Sequence, residues 1–144
     1  MSTQNYANHR RTDPGFHFVL FGLIVLTLGG SIANLIRAVG RHSGISNASL
    51  IVMLTVIVAL LAGFCRMYAL KAQDRAIRAE ENLRHFVLTG TLLDPRIGIK
   101  QVIALRFAPD EEFAALARRA AEESLAPDAI KQAVKNWRAD TYRV

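Results

Sequence analysis

A chain of 144 residues has room for one small domain, or for a membrane hairpin carrying a small soluble unit. It is 51% hydrophobic with a net charge of +6, and its one cysteine, Cys65, excludes an intrachain disulfide. From Arg66 onward there are 14 basic and 11 acidic residues, a well-solvated mixture that excludes a polybasic nucleic-acid face.

The first 13 residues form a polar tail with Arg10 and Arg11. From Gly15 to Ile36 there is no Lys, Arg, Asp or Glu, and about 20 apolar helical residues suffice to cross a hydrocarbon core. The pattern predicts a first transmembrane helix over 14–36, with Pro14 in its first turn and Asp13 as its cap. This run exceeds the apolar core of a signal peptide, and no small-x-small cleavage site follows it, so it is read as a retained anchor. Gly22, Gly29 and Ala33 form a small-residue stripe of the kind that lets helices approach closely in lipid, although small residues are also common in membrane helices generally.

A short external loop over 37–44 leads to a second transmembrane helix over 45–65, again free of charge from Ser43 to Cys65. Thr55, Ala59 and Gly63 offer the answering small-residue line. The loop carries Arg37 and Arg41. The N-tail and the stretch just after the second span carry seven Lys/Arg residues. That asymmetry places both termini in the cytoplasm.

The second helix is expected to run on over 66–89 as a cytoplasmic extension, about 30 Å long at 1.5 Å per residue. Ala69, Ala72, Ala76, Ala79, Leu83 and Phe86 recur at alternating spacings of three and four, a heptad-type docking seam. Asp74–Arg78 and Glu80–Arg84 are expected as exposed i,i+4 pairs on the other side. A seam this rich in alanine needs another helix laid against it, from the chain's own C-terminal part or from a second copy.

Gly90, Asp94-Pro95 and Gly98 mark a turn region, and residues 90–144 are expected to form a small module of three short helices. Ile99, Val102, Ile103 and Phe107 suggest the first. Asp110 is expected to cap the second, whose Phe113, Leu116, Ala117, Ala120 and Ala121 follow the amphipathic spacing. Pro127 opens the third, with Ile130, Ala133, Val134 and Trp137 on one face. The last two could instead be a helix-turn-helix with Lys131, Lys135 and Arg138 along the second helix, although a plain helical pair is the commoner explanation.

No catalytic, cofactor-binding or metal-ligating residue is nominated. His9, His17, His42 and His85 have no ligand spacing, and phosphate loops, nucleophile elbows and Cys/His clusters are absent. The adjacent pairs Glu111-Glu112 and Glu122-Glu123 are read as solvated helix surface.

Several stretches carry a resemblance: Gln4-Asn5-Tyr6-Ala7-Asn8-His9, Ala69 to Arg78, Ile103-Ala104-Leu105-Arg106-Phe107-Ala108, and Ile130 to Asp140. With these the chain resembles a family of small bacterial two-pass membrane proteins known only as a domain of unknown function. Pro109 departs from that pattern, in which Ser is expected. The resemblance implies a bacterial inner-membrane protein and supplies no activity or ligand.

The sequence therefore predicts an all-α membrane protein: a two-helix transmembrane hairpin, its second helix extended into the cytoplasm, followed by three short helices. A non-enzymatic scaffold, assembly factor or accessory subunit is the leading expectation, with a small homo-oligomeric channel as the alternative. Its partners would be the lipid bilayer and a protein partner or a second copy of itself. No cofactor and no nucleic acid is expected.

Overall fold

The computed structural model describes residues 4–6, 8 and 13–140. His9, Arg10 and Arg11 lie outside the described residues. Among those described, every regular element is helical: a π-wound segment Gly15–Leu20 leading straight into α1 (Phe21–Gly40), then α2 (Ile45–Thr89), α3 (Ile99–Leu105), α4 (Asp110–Glu122) and α5 (Pro127–Ala133). The chain divides into two compact units, residues 12–69 and residues 70–144 with 1–11. The helix α2 contributes to both.

In the first unit Asp13 starts the chain helically, its Oδ1 accepting from the Gly15 and Phe16 amides at 2.9 and 3.3 Å. Helix α1 continues to Gly40, four residues beyond the expected end. It closes in a Schellman motif: Ser43 N–H reaches Ala38 O, His42 N–H reaches Val39 O, and His42 takes the left-handed φ of 51°. Gly44, at φ 73°, then turns the chain into α2. A turn this short makes the two helices an antiparallel hairpin.

Burial along both follows a three-four rhythm. Ser31 and Ala38 are buried on α1, with Ile24 and Leu28 half-buried before them and Leu35 between them; Ala48 and Thr55 are buried on α2 with Val52, Ala59 and Ala62 half-buried. That spacing is the one that packs helices at a shallow angle. The buried hydroxyls stay on their own helices, Ser31 Oγ donating to Leu28 O and Thr55 Oγ1 to Ile51 O, so neither is left unsatisfied. At the other end Arg66 lies over the Phe16 ring at 5.4 Å.

Two helices are long and apolar enough to cross a membrane, with best windows of mean hydropathy 2.2 in Gly15–Gly40 and 2.6 in α2. Only 6% and 11% of those windows is buried. The core helix of a soluble protein would be mostly covered, so these apolar surfaces face outward.

The second unit is built on the C-terminal half of α2, which stops at Gly90, whose φ is 77° and whose N–H caps Phe86 O. Helices α3, α4 and α5 surround a core of Ile97, Val102, Leu105, Phe113, Ile130 and several alanines, with Ile77 from α2 joining it. Every residue expected on the inner face of α4 is buried there. Gln101 ties this small core together: its Oε1 accepts from Gly98 N–H, and its Nε2 donates to Leu125 O.

Two local expectations are corrected. Asp110 is the first helical residue rather than the cap, which is Pro109 with no side-chain bond; the Asp110 carboxylate is drawn to Arg84 instead. Helix α5 ends at Ala133, so no recognition-type helix reaches Arg138. The amides that would continue it are taken elsewhere: Lys135 and Asn136 N–H donate to Glu112, and Arg138 N–H to Phe107 O.

Ile130 is fully buried, which sets a graded test. Ile130→Val should cost about 0.5–1.5 kcal/mol and Ile130→Ala about 2–5 kcal/mol of module stability. Denaturant unfolding followed by the fluorescence of Trp137, the only tryptophan, reads both.

Candidate functional site

The C-terminal half of α2 has two faces with opposite fates. One carries Ile77, Glu81, Arg84 and His85, spaced at four, three and one, and it docks the module. Arg84 is the centre of that contact. Its Nε and Nη2 meet Asp110 Oδ1 at 2.6 Å, its Nη1 meets Glu81 Oε2 at 3.0 Å, and its Nη2 donates to Ala108 O at 2.8 Å. The guanidinium also lies 4.3 Å from the centre of the Phe113 ring. Planar, permanently charged and rich in donors, Arg can satisfy this set where Lys could not. The expected Glu80–Arg84 pair is thus replaced by Glu81–Arg84, because Glu81 is on the docked side and is itself buried.

A strap over residues 134–140 follows α5 and crosses back over α3 and α4. Glu112 holds its start, accepting from Lys135 N–H, Asn136 N–H and Asn136 Nδ2 at 2.9–3.1 Å. Trp137 packs on Phe107 with ring centres 4.8 Å apart. Arg106, almost fully buried, pairs with Asp140 at 3.1 Å, and Asp140 N–H donates to Gln4 Oε1 at 2.7 Å. Three of the segments that mark the family resemblance therefore meet at this strap. Glu112 is no solvated surface residue. The clue in the sequence was weak: one acid immediately before the buried Phe113.

The other face of α2 is open. Ala69, Ala72, Ala76, Ala79, Leu83 and Phe86 are all exposed, Leu83 by 63% and Phe86 by 50%. The chain's own module does not use the seam. Of the expected membrane-packing residues, Thr55 is buried and Gly22, Ala33 and Ala59 are half-buried. Gly29 and Gly63 are exposed, with nothing within 4 Å of where a Cβ would stand.

Two shallow clefts flank the docked face. One, about 540 Å³, lies among Glu80, Glu81, Arg84, Asp110, Glu111 and Arg138. The second, about 550 Å³, is edged by His85, Asp94, Arg96, Arg118 and Glu122. In the second, the Arg96 guanidinium grips Asp94 through both carboxylate oxygens and holds its carboxyl down at about 2. Among the described residues no group of three or more His, Cys, Asp or Glu is placed to hold a metal ion. His17 Nδ1 contacts Asp13 O and His85 Nδ1 contacts Thr91 O, both local helix-end bonds.

Arg84→Ala would leave buried Glu81 with only the longer contact to Arg138 at 3.9 Å and should cost about 3–5 kcal/mol, whereas Arg78→Ala on the exposed surface should stay within about 0.5 kcal/mol. Thermal unfolding of the two variants, read at Trp137, checks the contrast.

The chain belongs to a family whose model matches it over residues 1–144, described as a family of unknown function (DUF6526). No curated protein and no solved structure matches it.

Proposed function

We propose that this member of a family of unknown function is a non-enzymatic scaffold or accessory subunit of the bacterial cytoplasmic membrane. Its hairpin acts as the anchor, and the second unit presents α2 to a protein partner in the cytoplasm. The observation that carries this reading is the open apolar face of α2 from Ala72 to Phe86, left bare although the same helix docks a folded module through its other side. An uncovered apolar stripe outside the charge-free spans is costly in water and marks an interaction surface.

Membrane insertion is supported by the bare apolar windows of the two long helices and by the excess of Lys/Arg beside them. The bond between Gln4 and Asp140 sets the N-tail against the C-terminal strap, which is consistent with both lying on one side of a membrane. A channel has less support, because Ser31 and Thr55 spend their hydroxyls on their own helices instead of lining a polar path.

Replacing Ala72 and Ala76 together with Leu should abolish co-purification of bound protein from native membranes. Both sites are exposed, so the fluorescence of Trp137 should not change. Retention of every bound protein by this variant would refute the reading.

A further inference from the structure

We propose that the open face of α2 pairs with the same face of a second copy, forming a parallel two-stranded seam along Ala72, Ala76, Ala79, Leu83 and Phe86. The proposal rests on the membrane-anchored interaction reading and names its partner.

Three features of the face select a second copy. The first is its rhythm. Spacings of four, three, four and three are those at which one straight helix stays in contact with another like itself, each residue meeting its own counterpart. The second is its size gradient. Alanines at 72, 76 and 79 let two backbones come within roughly 8 Å, and Leu83, Phe86 and Val87, all at least half exposed, close the far end with larger side chains.

The third is charge. Arg75 and Glu80 flank the seam on opposite sides, both exposed, and neither has an ion-pair partner among the described residues. In a parallel pair, the residue before one seam position faces the residue five further on in the partner. Arg75 of each copy then meets Glu80 of the other, and the twofold axis makes the pair twice. An antiparallel pair would set like charges together. Two copies inserted the same way in one membrane can only be parallel, so the anchor and the charges demand the same orientation. A lipid surface would favour a face flanked by Lys and Arg alone, which the mixture of Arg75, Asp74 and Glu80 is not.

The test uses the full chain in native membranes with Cys65→Ser, which removes the exposed native thiol. Ala72→Cys, Ala76→Cys and Ala79→Cys, made singly, should each give a disulfide-linked dimer on mild oxidation, since counterparts on a close parallel seam fall within the roughly 4.4–6.8 Å between Cα atoms that a disulfide spans. Arg78→Cys, off the seam, should not. Arg75→Glu or Glu80→Arg alone turns two attractions into two repulsions and should weaken the dimer about tenfold, while the two together should restore it.

Absent cross-links, equal linking at position 78, or a double charge swap that fails to restore the dimer would each overturn the proposal. If the chain is monomeric yet Ala72→Leu with Ala76→Leu still strips away a co-purifying protein, the second copy is refuted and the interaction reading stands. If it is monomeric and nothing is stripped, both fall. Cross-linking at all three seam positions together with rescue by the charge swap establishes the parallel pair.

Discussion

One guanidinium sets how the second unit is arranged. Arg84 projects from α2 into the junction of α3 and α4, where a carbonyl, a carboxylate from each side and an aromatic face converge on it. The module it holds is small, with alanine at five of the buried core positions, and a unit of that size buries too little apolar surface to be firm alone. Docking on α2 supplies what the core lacks. Buried ion pairs add little net stability but penalise every arrangement that leaves a charge stranded, so Arg84 sets where the module sits more than how strongly it holds.

The polar character of that docking has a consequence for the rest of α2. A helix can present one face to its own chain, and here the chosen face is the one with Glu81 and Arg84. The more apolar face is left over. In a monomeric soluble protein such a remainder would be a liability; under the membrane-anchored function proposed above it would be available to a partner whose orientation the anchor restricts. The strap over 134–140 works in the same polar manner, with Glu112 diverting two amides that would otherwise have lengthened α5.

Much of the fold was legible because it depends on local signals. Both apolar runs, the stop at Gly90, the Pro127 start and the buried face of α4 follow from composition, left-handed glycine and helical periodicity, none of which needs a partner to be read. The end of α5 was not legible, since Ile130, Ala133, Val134 and Trp137 keep helical spacing to the last residue. What draws the chain away is the Glu112 carboxylate, 23 residues before the first amide it accepts. On the two long helices Thr55 is buried and Ala59 half-buried, while on α1 burial falls on Ser31 and Ala38 and the glycine at 29 is exposed. Small residues reveal where helices could approach, and the rotation of each helix decides where they do.

The C-terminal half of α2 separates the two kinds of information most clearly. The sequence alone determined that this stretch is helical, that it continues from an apolar run, and that Ala72, Ala76, Ala79, Leu83 and Phe86 share one side, because all three depend on backbone geometry and spacing within a single segment. Which side meets the module was decided only by the tertiary structure. Periodicity ranks faces by apolar area, whereas the docking here is governed by a charged group finding Asp110, Ala108 and Phe113 at once, residues more than 20 positions away whose convergence no local pattern encodes.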